Sequence, residues 1–87
     1  MGRYANPKAQ EPADEAIDAD ALYQLGMRCA ISAATPDERV TAHKWFNIAA
    51  LCGNAEAARL RREIAAEMSP AEIAAAQRAA RDWMTRH

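Results

Sequence analysis

Glycine is scarce in this 87-residue chain, with three, and the aromatic residues are few: two Trp, two Tyr and one Phe. So little glycine leaves no Gly-rich loop of the kind that cradles phosphates. β-branched residues are sparse too, which argues against a sheet. Only two cysteines occur, Cys29 and Cys52, far apart and not in a C-x-x-C pair. That excludes a disulfide framework and a zinc motif. Both fall where a small buried residue suits a helix, so both are expected to be reduced core thiols. The chain also lacks charge of one sign. Eleven Lys and Arg face twelve Asp and Glu, for a net charge of −1. Strong nonspecific attraction to nucleic acid or to an anionic membrane is not expected. No stretch approaches the roughly 20 apolar residues of a membrane span. Met1 to Gln10 contain no apolar run for a signal peptide. Asn6 stands where N-myristoylation after Gly2 wants Ser or Thr. A cytoplasmic location is the resulting expectation.

What the chain has is alanine. It carries 23 of them beside 21 larger apolar residues. Alanine is the best helix former, and so few large residues demand a thin core between closely packed helices. The length allows one domain. The fold class expected is all-α, with about four antiparallel helices arranged as two stacked hairpins. Residues 1–13, with Pro7 and Pro12, read as a mobile tail, and 14–87 as the helical domain.

Helix boundaries are signalled by caps. The first helix is expected over about 16–33, with Leu22, Leu25, Gly26 and Cys29 on one face. Thr35-Pro36-Asp37-Glu38 is a capping box with proline at the first helical position. It opens a second helix over about 36–52, whose inward residues are Ala42, Trp45, Phe46 and Ala49. Gly53 stops that helix and Asn54 caps the next. The third, over about 54–68, should bury Ala57, Leu60, Ile64 and Met68. Ser69-Pro70-Ala71-Glu72 repeats the capping box, and the fourth, over about 70–86, should turn Ile73, Ala76, Ala80, Trp83 and Met84 inward. The expected structural core also includes Gly53.

The two capping boxes are 34 residues apart. At that offset Ala42 meets Ala76. With one more residue of offset, Leu22, Leu25 and Cys29 meet Ala57, Leu60 and Ile64. A period of about 34 in a helix–turn–helix is the spacing of tetratricopeptide-type repeats.

The first hairpin resembles a Sel-1-like repeat, a branch of the tetratricopeptide-like superfamily. Leu25-Gly26 matches the family's Leu-Gly pair, with Ala21 and Tyr23 upstream and Asp37 before the second helix. The most specific part is Ala-x-x-Trp-Phe/Tyr-x-x-Ala-Ala-x-x-Gly, matched by Ala42, Trp45, Phe46, Ala49, Ala50 and Gly53. The match spans about Ala21 to Ala58. Cys29 replaces an expected Tyr, the Gly-x-Gly loop is replaced by Ile31 to Thr35, and Arg61 follows Leu60 where a second Leu-Gly belongs. The second hairpin thus resembles a terminal cap. The resemblance implies a short α-solenoid and adaptor work: a non-catalytic module that binds another protein or peptide. With about two units where solenoids usually have three or more, the fourth helix caps the stack, or a homodimer or partner completes it.

Candidate partner-binding residues lie on the first helix. Tyr23, Met27 and Ile31, at i, i+4 and i+8, form an apolar strip beside the core face, with Gln24 and Arg28 further out. An alternative basic face comprises Arg59, Arg61, Arg62, Arg78 and Arg81. It would grip an acidic ligand or nucleic acid, although neighbouring Glu56, Glu63, Glu67 and Asp82 partly neutralise it. A third reading is a thiol regulator using Cys29 or Cys52. No catalytic constellation is apparent by spacing: His43 has no evident nucleophile or orienting carboxylate, and His87 is terminal. No enzyme activity, cofactor or metal is expected.

Overall fold

The computed structural model describes residues 18–87; the tail read over 1–13 lies outside them. The described residues form four helices and no strand: α1 (Ala19–Ile31), α2 (Pro36–Leu51), α3 (Ala55–Ala65) and α4 (Pro70–Arg86).

Each helix starts where a side chain meets its orphan N–H groups. Asp18 is extended and accepts from the Ala21 N–H at 2.7 Å, so α1 begins at Ala19 and not near residue 16. Both capping boxes form. Thr35 Oγ1 accepts from the Glu38 N–H while Glu38 Oε1 accepts from the N–H groups of Thr35 and Ala34. Ser69 and Glu72 exchange the same two bonds. Between α2 and α3 the chain turns at Gly53, whose φ is +110°. The Gly53 N–H bonds the Ala50 carbonyl and the Asn54 N–H bonds that of Ala49, the paired bonds of a Schellman ending. Asn54 then caps α3 through the Ala57 N–H at 2.8 Å. One residue closes one helix and opens the next.

Two helices are shorter than expected. α1 ends at Ile31, because Glu38 reaches back and holds Ala34 and Thr35 in the loop. α3 ends at Ala65, although Met68 beyond it is still buried.

α2 is the hub, and α1, α3 and α4 all pack on it. Ala42, His43, Trp45, Phe46, Ile48 and Ala49 are all buried, so α2 is covered around most of its girth. Two contacts fix its partners. Gly26 lies against the Phe46 ring, so close that a Cβ there would sit 2.5 Å from Cδ1 and Cε1. Trp45 and Trp83 meet edge to face with centroids 5.4 Å apart, joining α2 to α4. Burial of each large apolar side chain contributes about 1.5–3 kcal/mol, so these few aromatic rings dominate an alanine-rich core.

Several core expectations need correction. Gly53 is exposed, because it serves the turn and not the packing. Met84 is 41% exposed, one position past Trp83 on the outward side of α4. Cys52 is exposed at the end of α2, and Cys29 is half-buried. Leu60 and Ile73 are half-buried at the margin of the core. Leu22, Leu25, Gly26, Ala42, Trp45, Phe46, Ala49, Ile64, Ala80 and Trp83 are buried as expected.

Candidate functional site

Two concavities flank the C-terminal half of α1. The first, of about 290 Å³, lies between α1 and α3. Met27, Ala30 and Ile31 of α1, with Ala33 beyond it, form one wall. Leu60 and Ile64 of α3 form the other, Phe46 of α2 lies between, and Glu63 and Glu67 supply the polar lining. The helical spacing explains it: Met27, Ala30 and Ile31 recur at i, i+3 and i+4, as do Leu60, Glu63 and Ile64. Ile31 is 81% exposed at the helix end, an apolar side chain left in water.

The second, of about 420 Å³, lies between the end of α1 and the start of α2. Leu25, Arg28, Cys29, Ser32, Asp37, Glu38 and Thr41 line it. Glu38 is committed to its cap, and Thr41 Oγ1 donates to the Asp37 carbonyl. Burial pushes the Cys29 thiol above its ordinary value, and nearby Arg28 and Lys44 offset this only in part. A raised pKa disfavours the thiolate that thiol chemistry requires.

The candidate strip on α1 therefore divides. Met27 and Ile31 share the α1–α3 groove, whereas Arg28 lines the other cavity. Tyr23 is half-buried, its ring 6.2 Å from that of Phe46, and belongs to the packing. Gln24 is exposed and lines neither concavity.

The arginines of the basic face differ in their engagement. Arg59 pairs with Glu56 and Glu63 along α3. The Arg59 hydrogen bond holds the exposed Glu56 carboxyl below its ordinary range. Arg61 turns onto α2, donating to Asn47 Oδ1 at 2.6 Å. Arg62, Arg78 and Arg81 are exposed.

His43 is the buried polar residue that periodicity missed as a core position. It is 3% exposed, with Nδ1 unpartnered. Burial lowers its pKa and the Arg61 guanidinium lowers it further. No group of three or more His, Cys, Asp or Glu is placed to hold a metal among the described residues, and none of their helices is long and apolar enough to cross a membrane. Sequence reasoning also missed Glu63 and Glu67 as groove residues, having counted them as neutralisers of arginine. Their spacing against Leu60 and Ile64 on α3 was the available signal.

No family model matches the chain, nor does any curated protein or solved structure.

Proposed function

We propose that the chain is a non-catalytic protein–protein interaction module of Sel-1-like repeat type, with the groove between α1 and α3 as its docking surface. The observation that carries this reading is the groove itself: an apolar trough with Ile31 held 81% exposed at its edge. Ile31 stands outside the core cluster, so its apolar side chain is available to a partner. The repeat assignment draws support from Gly26 against Phe46, from buried Trp45 and Ala49, and from the positive φ of Gly53, each at its motif position.

The alternatives carry less. A nucleic-acid or acidic-ligand face keeps Arg62, Arg78 and Arg81 exposed but loses Arg59 and Arg61, which are engaged within the chain. A thiol regulator at Cys29 would need a stabilised thiolate, which its burial opposes, so that reading falls to exposed Cys52.

The test is capture from lysate by the immobilised native chain beside Ile31→Glu, a change at an exposed position that leaves the core intact. A protein retained by the native chain and lost from the variant is the expected result. Equal retention by both forms, or no specific retention by either, overturns the groove reading.

A further inference from the structure

The chemistry of the groove specifies its occupant. Its volume of about 290 Å³ falls at or below the roughly 300–1,000 Å³ of small-molecule sites. It suits one or two apolar side chains of a peptide better than a whole small ligand. Its charge has one sign. Glu63 and Glu67 line it, and no Lys, Arg or His does. Glu63 shares Arg59 with Glu56, but Glu67 makes no ion pair among the described residues.

Arg28, the basic residue of the last turn of α1, lines the other concavity. An apolar floor, the Glu67 carboxylate without an ion pair among the described residues and Glu63 paired with Arg59 make a surface that favours basic segments over acidic ones.

We propose that the groove between α1 and α3 binds a basic peptide segment of a partner protein, which inserts one or two bulky aliphatic side chains against Met27, Ile31 and Leu60 and sets Lys or Arg beside Glu67 and Glu63. This rests on the interaction-module reading and names the partner's chemistry.

The test uses the full chain and fluorescence anisotropy at low salt. The probes are a short synthetic peptide of leucines and lysines and a twin with glutamates in place of the lysines. The native chain should bind the lysine peptide at least about tenfold more tightly, a difference of about 1.4 kcal/mol. Glu67→Lys should erase most of that preference, and Ile31→Glu should weaken binding of the leucines. Equal or reversed preference overturns the proposal, as does an unchanged preference in Glu67→Lys or no binding of either peptide. A further arm uses Arg3→Glu, Lys8→Glu. If the lysine peptide binds that variant and not the native chain, the chain's own first residues supply the basic chemistry, and the separate partner is refuted. Loss of a lysate protein on Ile31→Glu together with indifference to peptide charge would keep the interaction module and discard only the basic partner.

Discussion

A methyl group at Gly26 is the most direct probe of how α1 meets α2. In Gly26→Ala the new carbon would lie 2.5 Å from Cδ1 and Cε1 of Phe46 and 3.1 Å from Cγ. Carbon atoms prefer about 3.5–4.0 Å, so the ring must retreat by about an ångström. Phe46 is 1% exposed and has little room to retreat. Overpacking of this kind costs about 1–3 kcal/mol, while alanine recovers up to about 1 kcal/mol of helix propensity over glycine. An overlap this deep belongs in the upper part of the first range, leaving a net loss of about 1–2 kcal/mol. In a domain of this size each kcal/mol moves Tm by about 4–8 °C, so thermal unfolding followed by circular dichroism should show a fall of roughly 4–16 °C. Phe46→Leu provides the control, since it removes the ring edge that the methyl strikes. In that background Gly26→Ala should cost little or should stabilise, giving a coupling above about 1 kcal/mol. An unchanged or raised Tm for Gly26→Ala, or the same cost in both backgrounds, would refute the claim that Gly26 sets the approach of the helices.

Three further outcomes follow from the packing. His43 is held neutral in the fold, with its pKa lowered by burial and by Arg61, so its contribution is complete above the unfolded value of about 6.5 and is lost as the pH falls through the lowered folded value, with a slope of at most about 1.4 kcal/mol per pH unit; urea midpoints should drop between pH 7 and 5 for the native chain and much less for His43→Leu. Cys52, exposed at the end of α2, should react with a thiol reagent well before half-buried Cys29 under native conditions, and comparable rates would contradict the placement of Cys29. Trp83→Ala removes the ring that holds α4 to Trp45 at a cost of about 3–5 kcal/mol, comparable with the whole stability of a small domain; the far-ultraviolet helix signal should collapse or its urea midpoint fall sharply, whereas Trp83→Phe should stay folded.

The elements were legible because their ends are local. A capping box is two hydrogen bonds among four consecutive residues, and Thr35 to Glu38 and Ser69 to Glu72 form as their spelling implies. The same holds for Gly53 followed by Asn54. Burial was less legible. A single apolar face per helix was the premise, and it serves α1, where Leu22, Leu25 and Gly26 are buried. It fails for α2, which three helices cover, so that His43 and Ile48 are buried beside the expected Trp45 and Ala49. The groove was half legible. Met27 and Ile31 follow from spacing on α1, but Leu60, Glu63 and Glu67 join them only because α1 and α3 both pack on α2 and leave a trough between them, a tertiary fact that no local spacing contains.

The 34-residue offset acquires physical content when burial is read along it. Ala42 and Ala76 are both buried, and so are Phe46 with Ala80 and Ala49 with Trp83. Large and small exchange places between the hairpins. The second helix of the first hairpin is wide at Trp45-Phe46 and narrow at Ala49, whereas its counterpart is narrow at Ala79-Ala80 and wide at Trp83, and the two helices meet edge to face at Trp45 and Trp83. The offset does not carry every buried position across. His43 and Ile48 are buried on α2, but their counterparts on α4, Gln77 and Asp82, are exposed and polar, with Arg78 and Arg81 exposed beside them. Gln77, Arg78, Arg81 and Asp82 thus make the outer face of α4 polar. Leu51 and Met84 are exposed singly, as surface residues often are. Ile31, by contrast, stands at the rim of a concave apolar surface bounded by carboxylates. The trough between α1 and α3 is the apolar concavity that the proposed partner segment would cover.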